Sequence, residues 1–225
     1  MILITGASSG LGNYLFEKFL QNGKNVSGTY HKTVPGNGAN YVKVDVSKFE
    51  EVEAWIQQAC SSDDELILIN AAGINSNEIF HKLTPENWDK VLAVNLTGVY
   101  NTCRAILPIM RKNKFGRIIN ISSVVAQKGT PGTASYAASK AALTGLVKTL
   151  AVENAKYNIT VNNLNLGYFN AGMIKDVPQE MLEKIKKEIP AQRLGEPEEV
   201  LNAIEFLIKT PYVNGTDINI NGAYY

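Results

Sequence analysis

The chain has 225 residues and a formal net charge of +1, enough length for one domain with a large core. This charge balance excludes the strongly basic composition typical of proteins that bind nucleic acid or anionic membranes, so neither is expected as a partner. The apolar runs are strand-sized and follow no basic leader, which predicts a cytoplasmic protein without a membrane segment.

Apolar strand-like runs alternate with helical patterns along the chain. Predicted strands cover residues 2–5, 25–30, 41–46, 66–70, 116–122, 159–165 and 217–220, and predicted helices cover residues 14–24, 52–60, 88–112 and about 135–154. Such alternation is typical of a parallel sheet covered on both sides. We therefore predict a single α/β domain over residues 1–225, a Rossmann-type doubly wound parallel sheet with helices on both faces. Residues 168 to about 190 interrupt the alternation and predict a lid over a cleft.

The first strand runs directly into the glycine-rich turn TGASSGLG, which contains Gly6, Gly10 and Gly12. Glycine lets a diphosphate approach the backbone, and the free N–H groups of the following helix stabilise an anion. The spacing is GxxxGxG and not the general GxGxxG, so an ordinary turn between strand and helix is the alternative at this point.

Polar residues also follow the next strands of the predicted sheet. The second strand ends at Tyr30, His31 and Lys32, and no carboxylate lies between Glu17 and Asp45. An acid there would bind a ribose 2′-hydroxyl and repel a 2′-phosphate, so NADP(H) is favoured over NAD(H). The alternative is that His31 and Lys32 are solvated in a surface loop.

The third and fourth predicted strands end in VDV and NAAG, which place Asp45, Asn70 and Gly73 at the carboxyl edge where open sheets bind nucleotides. Asp45 is well placed for an adenine amino group. Each residue is by itself more often a turn former or a helix cap.

In the segment ASYAASKAAL, Tyr136 and Lys140 lie one helical turn apart. Residues at i and i+4 share a helix face, so a phenol and an ammonium can occupy one site. The small residues 137–139 between them leave room for a nicotinamide ring. The alternative is ordinary packing with a lysine that extends to solvent.

The motifs TGASSGLG, NAAG, VNLTG, IINISS, YAASK and RLGEPEEV occur in the order found in the short-chain dehydrogenases/reductases, which the chain resembles over nearly its whole length. It is most similar to bacterial 3-oxoacyl-[acyl-carrier-protein] reductases. The resemblance implies a catalytic set of Asn95, Ser123, Tyr136 and Lys140. With the arguments above, the expected cofactor residues are Gly6, Ser8, Ser9, Gly10, Leu11, Gly12, Tyr30, His31, Lys32, Asp45, Val46, Asn70, Ala71, Gly73, Tyr136, Lys140, Gly167 and Phe169.

The implied reaction transfers hydride from the nicotinamide to a carbonyl carbon while Tyr136 supplies a proton to the oxygen. We expect the Lys140 ammonium to lower the pKa of this phenol from about 10 toward the working range. Ser123 would donate a hydrogen bond to the carbonyl oxygen. Asn95, at a helix distortion, would hold a water that connects Lys140 to solvent. His81 has no partners for a metal site, so no metal is expected.

The sequence departs from the family's pattern after the sixth strand. Leu166 replaces a proline, and Ala171 replaces a threonine that contacts the cofactor, so a hydrogen bond of order 1 kcal/mol is lost. Ser9 stands where NADP(H)-dependent reductases often have a basic residue. Acyl-carrier docking would use Lys114 and Tyr157, of which only the first is basic, with further basic residues nearby at Arg111, Lys112 and Arg117.

We predict an NADP(H)-dependent reductase of a ketone or 3-oxoacyl thioester, related to fatty-acid biosynthesis, with acyl carrier protein as a possible partner. A dehydrogenase of a sugar, polyol or other secondary alcohol is the second reading. The third is a nucleotide-sensing protein without turnover, which Leu166 and Ala171 suggest. The resemblance implies a homotetramer built through the Tyr136 helix, residues 97–112 and the carboxyl-terminal strand.

Overall fold

A computed structural model describes residues 1–34, 40–61, 65–172, 174 and 177–225. Seven parallel strands form one sheet; they are β1 (Ile2–Thr5), β2 (Val26–Tyr30), β3 (Tyr41–Lys43), β4 (Ile67–Asn70), β5 (Gly116–Ser123), β6 (Ile159–Leu166) and β7 (Asp217–Ile220). Their order in the sheet is β3-β2-β1-β4-β5-β6-β7. The winding reverses between β1 and β4, which opens a crevice at the carboxyl ends of these strands. The predicted doubly wound fold is confirmed.

The α-helices are α1 (Gly10–Gln21), α2 (Phe49–Ala59), α3 (Pro85–Leu92), α4 (Gly98–Asn113), α5 (Ala134–Asn154), α6 (Gln179–Glu188) and α7 (Pro197–Lys209). The sheet is buried on both faces, as the eight consecutive buried residues of β6 illustrate. Helices α2, α4 and α5 cover one face, with Trp55 and Ile106 in the core there. Helices α1 and α7 cover the other, with Phe16 and Ile204.

Several elements differ from the sequence-based expectation, among them α7, which was not predicted. Strand β3 ends at Lys43, so Asp45 and Val46 lie in the loop that follows it. The expected helix over 88–112 is divided into α3, a π-helical segment (Ala93–Thr97) and α4. Helix α6 lies inside the predicted lid, whose residues 173, 175 and 176 fall outside the described residues. Within the described ranges, no helix is long and apolar enough to cross a membrane.

A row of polar side chains crosses the centre of the sheet. Asn70, Asn120, Asn163 and Asp217 pair in register on β4 to β7. Their side chains form a chain of hydrogen bonds, with donor–acceptor distances of 2.9 Å from Asn70 to Asn120, 3.0 Å from Asn120 to Asn163 and 2.7 Å from Asn163 to Asp217. Because each buried amide has a partner, the polar row links four strands without leaving these groups unsatisfied.

Candidate active site

The turn after β1 brings backbone very close to backbone. Gly6 and Gly10 have φ angles of +66° and +54°, in the left-handed region that favours glycine. A Cβ on Gly12 would lie 2.3 Å from the carbonyl oxygen of Gly6, and a Cβ on Gly6 would lie 2.8 Å from Ala72 Cα. Larger residues at these positions would require the turn to open.

The amino-terminal end of α1 is free of competing side chains. Ser9 is its N-cap residue but makes no side-chain capping hydrogen bond, and the first turn contains no acidic residue. The first N–H groups of a helix need an external acceptor, and the helix dipole favours a negative one. The turn and α1 therefore fit the diphosphate of a dinucleotide.

The end of β4 is fixed against this turn. Thr5 Oγ1 accepts hydrogen bonds from the backbone N–H groups of Ala71 and Ala72, both at 3.1 Å. The Asn70 side chain accepts a hydrogen bond from Thr102 Oγ1 at 2.8 Å and donates the one to Asn120. We expected Asn70 to contact the cofactor, but its buried side chain is engaged within the fold, so only its backbone is available for that role.

At the other end of the crevice, His31 Nε2 lies 3.9 Å from Asp45 Oδ2. Burial raises the pKa of the Asp45 carboxyl, but hydrogen bonds from Ser47 and the charges of His31 and Lys48 outweigh it, so the pKa is lowered overall. Asp45 is thus a carboxylate at neutral pH. His31 and Lys32 are exposed, while Tyr30 is half-buried at the end of β2. Val46 is buried against Gly98, and its carbonyl oxygen accepts a hydrogen bond from Asn101.

The carboxyl end of β5 and the first turns of α5 bring three predicted catalytic residues together. The half-buried Tyr136 side chain lies near Ser123, whose hydroxyl acts to lower the pKa of the phenol. Lys140 Nζ lies 5.7 Å from the centroid of the Tyr136 ring and donates a hydrogen bond of 2.7 Å to the carbonyl oxygen of Ile121. Lys140 is only 4% exposed.

Burial controls both titrating groups of this pair. It raises the pKa of Tyr136, and the Ser123 hydroxyl offsets part of that increase. It lowers the pKa of Lys140 to about 8. The pKa of the Tyr136 phenol is therefore raised overall and not lowered as expected, because desolvation is the largest effect on it.

Asn95 lies in the π-helical segment, which is the kind of helix distortion that the sequence had led us to expect at this residue. Its Oδ1 accepts a hydrogen bond from Ile74 N at 2.9 Å, and its Nδ2 donates to the Ile74 carbonyl oxygen at 2.8 Å and to Ser139 Oγ at 3.1 Å. The side chain therefore ties the loop after β4 to α5. A Cβ on Gly73 would lie 3.5 Å from Asn95 Oδ1 and 3.7 Å from Lys140 Nζ, so both atoms border the same small space.

Ser139 was interpreted from the sequence as a small residue that leaves room for a ring. It is instead fully buried, and its hydroxyl donates a hydrogen bond of 2.7 Å to the Tyr136 carbonyl oxygen while accepting the one from Asn95. The contact depends on the π-helical segment that aims Asn95 at α5. In the sequence, the only sign of this contact was the hydroxyl group of Ser139, directly before Lys140.

The segment after β6 crosses the glycine turn. A Cβ on Gly10 would lie 3.0 Å from Gly172 Cα, so the two backbones are nearly in contact. Gly167 is packed against Asn221, where a Cβ would lie 2.8 Å from Asn221 Cα. Phe169 was predicted to contact the cofactor, but its ring is 8% exposed and packs in the core against Gly195. The phenyl ring is therefore a core residue.

The basic residues near the end of α4 do not form one patch. Arg117 is 4% exposed, and its guanidinium donates to the carbonyl oxygens of Gly116, Asn158 and Ile208. It is a structural residue of the sheet. Arg111 is exposed and lies over the Tyr157 ring, with its guanidinium carbon 4.4 Å from the centroid.

No group of three or more metal-ligating side chains occurs in the part of the chain that the structure describes. The chemistry available at the end of β5 is therefore that of a phenol, an alcohol and an ammonium. These groups can donate hydrogen bonds to a carbonyl oxygen and supply a proton to it. The glycine turn, β4 and the loop after β3 lie along the adjoining crevice, the place where open parallel sheets bind dinucleotides.

Comparison with known proteins points the same way. A family model described as short chain dehydrogenase matches residues 1–182. An acetoacetyl-CoA reductase of Rhizobium meliloti (strain 1021) is 38% identical over 238 residues, covering 99% of this chain and 97% of that protein. A 3-oxoacyl-[acyl-carrier-protein] reductase of Staphylococcus epidermidis (strain ATCC 12228 / FDA PCI 1200) is 32% identical, covering 99% of this chain and 98% of that protein.

A solved structure extends the likeness to three dimensions. The ligand-free aldohexose dehydrogenase of Thermoplasma acidophilum superposes with a TM-score of 0.89 at 27% sequence identity. The match covers 99% of this chain and 92% of the other. The similarity therefore includes the whole sheet and the elements that carry the candidate site.

Proposed function

Because the chain belongs to the short-chain dehydrogenase family of oxidoreductases, we propose that it reduces the carbonyl group of a 3-oxoacyl thioester to a secondary alcohol with NADPH. The observation that carries the proposal is the position of Tyr136 beside the buried Lys140, whose ammonium is hydrogen-bonded to β5, the strand that ends at Ser123. Residues 71–74 connect these groups to the glycine turn, since Ala72 packs on Gly6 and Gly73 borders Lys140. A carbonyl beside Tyr136 would thus lie next to a bound dinucleotide.

Bound NADPH supplies the hydride. The glycine turn and the first turn of α1 would hold its diphosphate, because the first N–H groups of a helix need an external acceptor and the first turn of α1 contains no acidic residue. Gly73, Asn95 and Lys140 would enclose the nicotinamide ribose, since the atoms of Asn95 and Lys140 border the space beside Gly73. A nucleotide bound at the sheet edge would lie beside α5, which carries Tyr136 and Lys140.

Ser123 and Tyr136 act on the carbonyl oxygen. As negative charge grows on that oxygen, hydrogen bonds from the two hydroxyl groups stabilise it. Tyr136 then transfers its proton. Because burial raises the pKa of the phenol, the hydroxyl is protonated at neutral pH and can act as an acid. The phenolate left behind is stabilised by the adjacent ammonium of Lys140, whose pKa of about 8 keeps most of it charged at pH 7.

The preference for NADPH over NADH rests on His31 and Lys32. Both are exposed at the end of β2, where a ribose 2′-phosphate would lie, although Asp45 lies 3.9 Å from His31 and weakens its contribution. Replacing both residues with alanine should weaken NADPH binding about tenfold or more and leave NADH binding within about twofold. Fluorescence titration of both nucleotides measures this.

Lys24→Ala is the matched control, because Lys24 is exposed just before β2 and away from the end of that strand. It should alter neither affinity. Equal losses of NADPH and NADH affinity in the double variant would remove the case for 2′-phosphate recognition.

Acyl thioesters are favoured as substrates by the names of the two reductases at 38% and 32% identity. A basic surface can attract and orient an acidic carrier protein. Here Tyr157 lies between Arg111 and Lys156, with distances of 4.4 Å from the guanidinium carbon and 5.2 Å from the ammonium to the ring centroid. Together with exposed Lys114, these residues supply a positive surface although position 157 itself is not basic.

The structural likeness to an aldohexose dehydrogenase favours a second candidate function, oxidation of a sugar or polyol. A third, nucleotide sensing without turnover, is suggested by Leu166 and Ala171. Leu166 is buried in the core, and Ala171 provides no hydroxyl for the cofactor. A nucleotide sensor does not need a proton donor, so sensing is the least favoured of the three candidate functions.

One assay separates these functions. NADPH oxidation is measured with acetoacetyl-CoA, an acetoacetyl carrier protein and simple ketones, and NAD(P)⁺ reduction is measured with aldohexoses and polyols. We expect the thioesters to be turned over fastest. Rapid oxidation of an aldohexose alone would favour the sugar dehydrogenase, and tight nucleotide binding without any turnover would favour the sensor.

A homotetramer is the assembly we propose. Helices α4 and α5 carry exposed apolar side chains, of which Tyr100 is 46% and Val152 is 83% exposed. Gly145 of α5 has no atom within 4 Å of the position its Cβ would take, so a second helix can approach closely there. Burial of these residues against another copy would remove apolar surface from water.

A further inference from the structure

The last residues of the chain pass beneath α6. The backbone N–H of Ala191, just after α6, donates a hydrogen bond of 3.2 Å to the carbonyl oxygen of Gly222. A Cβ on Gly222 would lie 2.9 Å from Ile189 Cγ2, so the tail is in close contact with the end of this helix. Tyr224 is only 7% exposed, although it is the penultimate residue.

The Tyr224 side chain contacts three different parts of the fold. Its hydroxyl donates a hydrogen bond of 2.9 Å to Glu188 Oε2, on the last residue of α6. Lys128 Nζ lies 3.5 Å from the ring centroid, within the range of a cation–π interaction. The ring also packs on Tyr168, with centroids 5.7 Å apart and an angle of 57° between the planes.

Two of these three partners lie just after the strands β5 and β6, near their carboxyl ends. Lys128 belongs to the loop that follows Ser123, and Tyr168 follows β6 at the edge of the cofactor crevice. Between them, an apolar cluster joins the same elements through Val124, Ile174, Ile185, Ile189, Leu194 and Tyr224. Val124 is the neighbour of Ser123 in the chain. A displacement of α6 would therefore loosen the surroundings of the carbonyl site.

The hydroxyl of Tyr224 is a constant donor. Burial raises its pKa to about 12, helped by the hydrogen bond to Glu188 and by the negative charges nearby. It is thus protonated across the working range. Its partner Glu188 is exposed, so this hydrogen bond, more than burial of the carboxylate, ties Glu188 to Tyr224.

We propose that Tyr224 is a positioning residue that holds α6 against the loop after Ser123 and thereby sets the affinity for the carbonyl substrate. Open and closed positions of α6 form an equilibrium, and substrate binds the closed one, so a weaker contact lowers the apparent affinity in proportion to the closed fraction. The expected change in substrate affinity rests on the proposed function, whereas the expected change in the position of α6 does not.

The first test measures the position of α6 without activity. Tyr224→Phe keeps the ring, its contact with Tyr168 and the cation–π interaction, and removes only the hydroxyl. Trypsin cleavage after Lys184 and Lys187, both exposed in α6, should be about tenfold faster in the variant. Tyr225→Phe is the matched control, since Tyr225 is 71% exposed, and it should be cleaved at the parent rate.

The second test measures turnover of acetoacetyl-CoA with NADPH. Tyr224→Phe should raise KM about tenfold, leave kcat within about twofold and leave the NADPH affinity unchanged. Glu188→Gln keeps an acceptor for the Tyr224 hydroxyl and should raise KM less than Glu188→Ala does. A variant that is merely unstable would lose kcat and nucleotide affinity together.

The outcomes are distinct. Parent-like cleavage of α6 and a parent-like KM in Tyr224→Phe would overturn the proposal. A loss of kcat at unchanged KM would also overturn it, because Tyr224 would then act on the chemical step. Faster cleavage in a protein whose parent turns over no carbonyl would support the role of Tyr224 in holding α6 while contradicting the proposed function.

Discussion

At the scale of single residues, burial decides how the candidate active site titrates. Lys140 is surrounded by protein, and its ammonium has the Ile121 carbonyl oxygen as a hydrogen-bond acceptor. Desolvation disfavours the charged form of the lysine and the charged form of the Tyr136 phenol alike. The site therefore contains a protonated phenol and a lysine that loses its charge near pH 8. Above that pH, the neutral lysine can no longer stabilise a phenolate at Tyr136.

The lowered pKa of Lys140 predicts a pH-dependent stability. Below pH 8 the folded and unfolded chains both carry this charge, and between pH 8 and 10.5 the unfolded chain binds more protons, so the free energy of unfolding rises with pH in that window. Lys140→Met lacks this titration. Its stability relative to the parent should fall by about 3 kcal/mol between pH 7 and pH 10.5.

Urea unfolding of both proteins at the two pH values measures this difference. The comparison with Lys140→Met cancels every group that the two proteins share. A difference in unfolding free energy that is the same at both pH values would mean that Lys140 titrates alike in the folded and unfolded chains.

The identities of the clustered residues were predictable, but their burial was not. The i and i+4 spacing of Tyr136 and Lys140 was visible in the sequence, and the family motif added Ser123 and Asn95. The hydrogen bond from Asn95 to Ser139 was not visible, because it joins residues 44 positions apart through the π-helical segment. The packing of the Phe169 ring was not visible for the same reason: Gly195, which it contacts, comes from a distant loop.

At the scale of elements, the parallel strands were the most predictable part. Strands apolar on both faces stand out in the sequence, whereas β3 is short and half-buried, so its predicted end was too late. The sequence-based prediction missed helix α7. The chain nevertheless has signals that are typical of a helix there: Pro197 at the start, two acidic residues in the first turn and buried apolar residues at positions 200, 201, 204 and 207. Of the asparagines of β4 to β6, only Asn70 was singled out in the sequence, and only the register reveals their pairing.

The polar row predicts a large loss of stability when a residue at the centre of the row is replaced. Asn120→Ala removes an acceptor from Asn70 and a donor from Asn163, and leaves both buried groups without their partner. We expect the free energy of unfolding to fall by about 2–4 kcal/mol. Urea unfolding measures it. Asn25→Ala, on an exposed residue before β2, should change it by less than about 0.5 kcal/mol, and an equally small change in Asn120→Ala would contradict the structural role of the row.

At the scale of the whole molecule, the strand order explains why scattered motifs act together. The glycine turn follows β1, NAAG ends β4, and Ser123 ends β5, and these three strands are neighbours in the sheet. Parallel strands place their carboxyl ends at one edge, so a reaction that needs nucleotide and proton donor side by side can be built there. The outer surface of α4 and α5 exposes Tyr100 and Val152 to solvent.

The proposed tetramer predicts a mass four times that of the 24.6 kDa chain in sedimentation velocity. Val152→Glu places a charge on the exposed face of α5 and should give smaller species, because burying an unpaired carboxylate is costly. Leu20→Glu, on the 41% exposed Leu20 of α1, is the control and should keep the parent mass. An unchanged mass in Val152→Glu would place the interface elsewhere.

The central claim is that the Tyr136 hydroxyl delivers the proton to a carbonyl reduced by NADPH. The most direct measurement is the rate of NADPH oxidation with acetoacetyl-CoA by Tyr136→Phe, together with its NADPH affinity. The account predicts a decrease in kcat of about 10²-fold to 10⁴-fold with the affinity within about twofold of the parent. A variant that reduces the substrate as fast as the parent would contradict it.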